Sequence, residues 1–100
     1  MKKPWESEKR DLSYIPESIA HSPFLNALID ELVAAEQQWP PIHSLHEGYG
    51  VLVEEVEEFF EEVRKRSIER DHAHIRKELA QVAAVAWRIV LDLYERKETP

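Results

Sequence analysis

The chain has 100 residues, enough for one domain with a small core, so association with a second copy is expected. Twenty Asp and Glu against thirteen Lys and Arg leave a formal charge of −7, which disfavours a nucleic-acid polymer as partner; the lack of cysteine excludes disulfides, thiol catalysis and zinc–thiolate sites. No apolar run approaches the ~18 residues of a membrane span, and the start MKKPWESEKRD leads into no apolar segment, so a cytoplasmic, non-membrane protein is expected.

Residues 1 to 21 are polar, with prolines at 4 and 16 and no sustained period, and read as an arm that packs on a neighbour through Trp5, Tyr14 and Ile15. The single domain then spans 22 to 100. Ser22 is a fitting N-cap, and Pro23 sits at the first helical position, where its missing N–H costs nothing. Phe24, Leu28, Leu32 and Ala35 recur at helical spacing until Pro40-Pro41 stops the run, predicting a first helix over 23–38.

Ser44-Leu45-His46-Glu47 has the form of a capping box, and Leu45, Tyr49, Leu52, Val56, Phe59 and Val63 follow at spacings of three and four. A second helix therefore runs from this cap to about 63, and the charged string RKRSIERD, 64–71, is the turn. Asp71 can cap a third helix over about 72–95, whose apolar stripe is Ile75, Leu79, Val82, Ala86, Ile89 and Leu93. Alanines 80, 83, 84 and 86 suit close approach by another helix. Three amphipathic helices on short connections imply an all-α fold: an antiparallel helical bundle of three main helices, completed by the N-terminal segment or by a partner chain.

Seven of the twenty acidic residues fall between Glu47 and Val63, in EGYGVLVEEVEEFFEEV, together with both glycines. At about 100° per residue, Glu54, Glu55 and Glu58 share a wedge beside the apolar stripe, Glu62 follows one turn on, and Glu57 lies on the other flank. Like charges at one-turn spacing repel, and no basic residue interrupts Glu54 to Glu62. Such a block is either a solvated acidic face or a set of ligands. On the third helix Glu78, Gln81, Val85, Arg88 and Asp92 form one stripe, and packing through the apolar faces can bring Glu78 opposite the wedge. Glutamates from two facing helices suit Mg²⁺, a hard cation that takes oxygen ligands and keeps places for water or phosphate.

Glu54, Glu55 and Glu58, followed on the next helix by Glu78 and a polar residue three places later, resemble the MazG-like all-α nucleoside triphosphate pyrophosphohydrolases. Their helical signature is EExxE and then, after a spacer, ExxD. The resemblance covers about residues 24 to 95 and departs at Gln81, where the pattern has Asp. It implies a Mg²⁺-dependent enzyme, with Mn²⁺ as an alternative ion, that splits a nucleoside triphosphate into monophosphate and pyrophosphate. Carried over by position, the metal ligands are Glu54, Glu55, Glu58 and Glu78, with the Gln81 amide oxygen as a weaker fifth. Glu55 is the candidate catalytic base. Lys77 and Arg88 are candidate phosphate contacts, though Arg88 can equally pair with Asp92 at i+4, and Gln38 and Trp39 are candidate contacts to the base. Chain size and the alanines suggest a homodimer or homotetramer. The competing expectation is a non-catalytic acidic interaction protein on the same fold, whose glutamates splay into solvent.

The remaining signals read as structural. His43, His46, His72 and His74 match no compact metal spacing, and His72 and His74 read as exposed at a helix start. Glu57, Glu61 and Glu62 read as solvated surface, while Gly48 and Gly50 suggest a close helix crossing beside Tyr49.

Overall fold

The structure is a computed structural model that describes residues 13–96. After a single turn, α1 (Glu17–Ala20), three long elements follow: α2 (Pro23–Gln38), α3 (Leu45–Val63) and α4 (His72–Val90), the last extended by a π-helical turn over Leu91–Glu95. A turn of 3₁₀ helix, Ser67–Glu69, lies in the charged connection between α3 and α4. No strand occurs among the described residues. The N-terminal half of the expected arm, Trp5 included, lies outside them.

Capping chemistry accounts for the boundaries. Ser22 Oγ accepts from the Phe24 amide at 3.2 Å, Ser44 Oγ from the Glu47 amide at 3.1 Å, and Asp71 Oδ1 from the His74 amide at 3.1 Å. The Glu47 carboxylate reaches back to the amide of His43, at 3.2 Å, one residue earlier than an ordinary capping box. It thereby ties the proline loop to the start of α3. That loop is also pinned to α4, where the Ile42 amide donates to Asp92 Oδ2 at 2.8 Å and Arg88 donates to the Pro40 carbonyl at 2.8 Å.

The helices run up, down and up, with α4 in the middle: α2 packs along one side of it and α3 along the other. Ala80 and Ala84, 0% and 2% exposed, let α2 approach closely through Leu32, while Val85 and Ile42 complete a small core. Ala86 is exposed, so only part of the alanine stripe serves packing. Gly48 is buried at the α3–α4 crossing, where a Cβ would lie 2.9 Å from Ile89 Cγ1. Gly50 has open space on the outer side of α3, so the expected crossing needs one glycine and not both. Because α2 and α3 flank α4, a cleft remains between them.

Candidate metal centre

The cleft, about 330 Å³, is lined by all three helices and the proline loop. Ala34 and Ala35 of α2, Val51 of α3, and Ala84 and Val85 of α4 make its apolar walls. Glu31, Glu54, Glu55 and Gln81 line it as well, with Trp39 and Gln38 among the lining residues from the C-terminal end of α2.

Next to this cleft, Glu55 and Glu58 of α3 meet Glu78 of α4. One carboxylate oxygen from each lies within 4.8 Å of the others, an arrangement that could hold a metal ion. Helical spacing puts Glu55 and Glu58 on one face, three residues apart, and the antiparallel crossing at Gly48 sets the register that carries Glu78 opposite them. Glu78 is only 6% exposed, Glu55 is half-buried and Glu58 faces solvent.

Burial and neighbouring carboxylates raise the proton affinity of two of the three, Glu55 and Glu78. Burial is the main cause at Glu55, and the charges of Glu58, Glu78, Glu54 and Glu31 add to it, so its carboxyl titrates above the ordinary range. Burial also leads at Glu78, with Glu58 adding charge repulsion and a hydrogen-bonding contact; His74 and Lys77 pull the other way without cancelling the rise. Glu55 Oε2 and Glu78 Oε2 are both buried without a hydrogen-bond partner. A buried, unpartnered carboxylate oxygen is costly, and a cation between these groups removes that cost and the mutual repulsion together.

The expected residues divide. Glu55, Glu58 and Glu78 converge. Glu54 stands exposed on the cleft wall and acts on Glu55 through its charge, outside the three-carboxylate cluster. Gln81 lines the cleft, and its amide nitrogen lies 3.4 Å from Glu31 Oε2, so the amide is turned towards α2. Lys77 lines a second hollow, beside Ser22 and Phe24 at the start of α2. Arg88 is buried at 3% exposure and lines the cleft, with its guanidinium donating to the Pro40 carbonyl and lying 3.5 Å from Glu36. Asp92 is not its partner: that carboxylate pairs with Arg96, four residues on, at 2.9 Å and accepts from the Ile42 amide.

Glu62 is not surface. It is 4% exposed, with Lys65 Nζ at 2.7 Å from Oε1, and that hydrogen bond holds its carboxyl below the ordinary range. Seven residues on from Glu55, it completes the same inward face two turns later. Glu57 and Glu61 are exposed, as their helical angle indicates.

Two residues stand at the site without having been expected there. Glu31 flanks the α2 stripe one position before Leu32, a placement visible in the sequence but without meaning until α2 and α4 are packed. His74 sits one turn before Glu78 and puts Nε2 at 3.2 Å from Glu78 Oε1, though its side chain is 46% exposed as a helix-start residue should be. No protein-family model, curated protein or solved structure matches the chain.

Proposed function

We propose that this protein is a divalent-cation-dependent nucleoside triphosphate pyrophosphohydrolase, with Mg²⁺ as the working ion and Mn²⁺ as a substitute. The observation that carries this reading is the convergence of Glu55, Glu58 and Glu78 beside an apolar-walled cleft, with a buried, unpartnered oxygen on both Glu55 and Glu78. An acidic docking face would present its carboxylates apart and fully hydrated. The motif resemblance supplies the reaction class.

Glu55, Glu58 and Glu78 would hold the cation, which when bound neutralises phosphate charge and polarises the α-phosphorus. In the overall reaction a water oxygen bonds to the α-phosphorus, the bond from that phosphorus to the α,β-bridging oxygen breaks, and pyrophosphate leaves. Glu55, beside the place of the cation, is the candidate to take the proton from the water. The apolar walls exclude bulk water from around the base. Trp39 offers a ring to stack on it and Gln38 a hydrogen-bonding edge. Lys77, whose charge acts on Glu78, is a candidate for the terminal phosphates. Arg88 lines the cleft with one guanidinium nitrogen on the Pro40 carbonyl and its Nε unpartnered, and is the second candidate for a phosphate contact.

The test is pyrophosphate release from a panel of canonical and modified ribo- and deoxyribonucleoside triphosphates with Mg²⁺ or Mn²⁺, alongside Glu55→Gln. Metal-dependent turnover lost in Glu55→Gln is expected. Absence of turnover with every substrate, together with absence of Mg²⁺ or Mn²⁺ binding, would overturn the proposal.

A further inference from the structure

The end of the cleft away from the carboxylates holds a buried cation. Arg88 is 3% exposed, and it lines the cleft there together with Gln38, Trp39, Pro40 and Ile42. A buried guanidinium needs acceptors around it, and this one is short of them. One of its terminal nitrogens donates to the Pro40 carbonyl at 2.8 Å. Its Nε is buried without a hydrogen-bond partner, with Glu36 Oε1 3.5 Å away, beyond ordinary hydrogen-bond length. Glu36 is held back because both of its oxygens accept from Arg96, each at 2.9 Å. Asp92, one turn on from Arg88, is taken by Arg96 and the Ile42 amide.

Gln81 and Arg88 lie seven residues apart on α4, two turns and about 10 Å of rise. Of the two contacts open to Arg88, a phosphate or a base, this separation favours the base. A triphosphate drawn down to Arg88 would leave the carboxylates and their cation. With the phosphates kept on the cation, the sugar spans the walls of Val51, Ala84 and Val85, and the base arrives beside Trp39 with its edge away from the sugar turned to Arg88. That edge carries position 6 of a purine or position 4 of a pyrimidine. A guanidinium has donors only, so it pairs with a carbonyl oxygen there and opposes an amino group. Glu47, the carboxylate at the same end, is 44% exposed at its side chain and has Oε2 on the His43 amide, so the buried group that the base meets is a donor.

We infer that the cleft selects a base with a carbonyl at that position, a 6-oxopurine or a 4-oxopyrimidine, over adenine and cytosine, and that Arg88 makes the choice. The inference rests on the nucleotide reading of the cleft.

The test is equilibrium binding of α,β-methylene triphosphates, which resist cleavage at that bond, to the full chain in Mn²⁺, run beside the hydrolysis assay. Inosine is compared with adenosine, and uridine with cytidine. The inosine and uridine analogues should bind at least about tenfold more tightly than their amino counterparts, the discrimination expected of a hydrogen bond from a charged donor. Arg88→Gln should bring both ratios close to one. Wild-type ratios near one, a preference for the amino bases, or no binding of any of the four overturns the inference. Arg88→Gln weakening all four equally, with both ratios kept, makes Arg88 a phosphate contact and overturns it too. If Arg88→Gln loses helicity, Arg88→Lys takes its place, and its shorter reach should reduce each ratio severalfold; unchanged ratios in that variant overturn the assignment to Arg88. Selective binding without hydrolysis removes the enzyme and keeps the inference, whereas hydrolysis with equal kcat/KM for all four bases keeps the enzyme and removes the inference.

Discussion

His74 Nε2 lies 3.2 Å from Oε1 of Glu78, while Oε2 of the same carboxylate is buried without a partner. The two residues are one turn apart on α4, so the helix itself sets the distance. An imidazole this close to one oxygen can orient the carboxylate while the other oxygen stays open to a ligand, the arrangement by which outer residues tune metal sites.

His74→Ala should therefore weaken Mn²⁺ binding by about 10- to 100-fold. His74→Gln, which keeps a donor at that place, should recover most of the loss. Calorimetric titration of the two variants checks this; equal affinity in wild type and His74→Ala would remove His74 from the site.

The cluster also makes metal-free stability depend on pH. Glu55 and Glu78 have folded-state proton affinities above the ordinary glutamate value of 4.5. Their contribution is fully present below that value and is lost as pH rises through the folded-state values. Glu36, held low chiefly by its hydrogen bond to Arg96, and Glu62, held low by Lys65, act with the opposite sign and lose their contribution as pH falls. Comparison with Glu78→Gln isolates the cluster. That variant should be more stable than wild type in EDTA at pH 7 by on the order of 1 kcal/mol, with the gain fading towards pH 4.5. Urea unfolding across this range measures it. In saturating Mn²⁺ the order should reverse, because only wild type gains the full binding energy.

Gln81 stands where the resemblance has a carboxylate, and its amide faces Glu31 at 3.4 Å. Gln81→Asp replaces that contact with another negative charge near Glu31 and Glu55. Metal-free stability should drop by about 1 kcal/mol while Mn²⁺ affinity rises about tenfold, since a hard cation binds carboxylate more firmly than amide. An unchanged affinity would show that position 81 does not reach the ion.

The two glycines of α3 should respond in opposite directions. Gly50→Ala meets open space and should stabilise by about 0.5–1 kcal/mol through helix propensity. Gly48→Ala sets a methyl 2.9 Å from Ile89 Cγ1 and 3.0 Å from its Cδ1, so Ile89 must shift. Overpacking there should outweigh the propensity gain and cost about 1–2 kcal/mol, read by thermal or chemical unfolding.

Much of this molecule was legible in the sequence because the relevant physics is local. Ser22-Pro23, Ser44 with Glu47, Pro40-Pro41 and Asp71 bound the helices through backbone groups within a few residues of themselves, and the helices begin and end there. Only the last turn of the third helix differs, passing into π geometry after Val90. The wedge angle of Glu54, Glu55 and Glu58 is also a local quantity, fixed by helical pitch. What pitch cannot say is how that wedge meets another helix.

That meeting was decided by the tertiary structure. The crossing at Gly48 set which of four neighbouring glutamates converge with Glu78, leaving Glu54 on the wall and turning Glu62 inward to Lys65. The placement of α4 between α2 and α3 buried Arg88 against Glu36 and Pro40, turned Gln81 towards Glu31, and brought His74 onto Glu78. The sequence by itself determined the helices, their ends and the faces available, because hydrogen bonding and periodicity act over one or two turns. Which faces meet depends on side-chain volumes on different helices fitting at once, and that is a property of the packed chain alone.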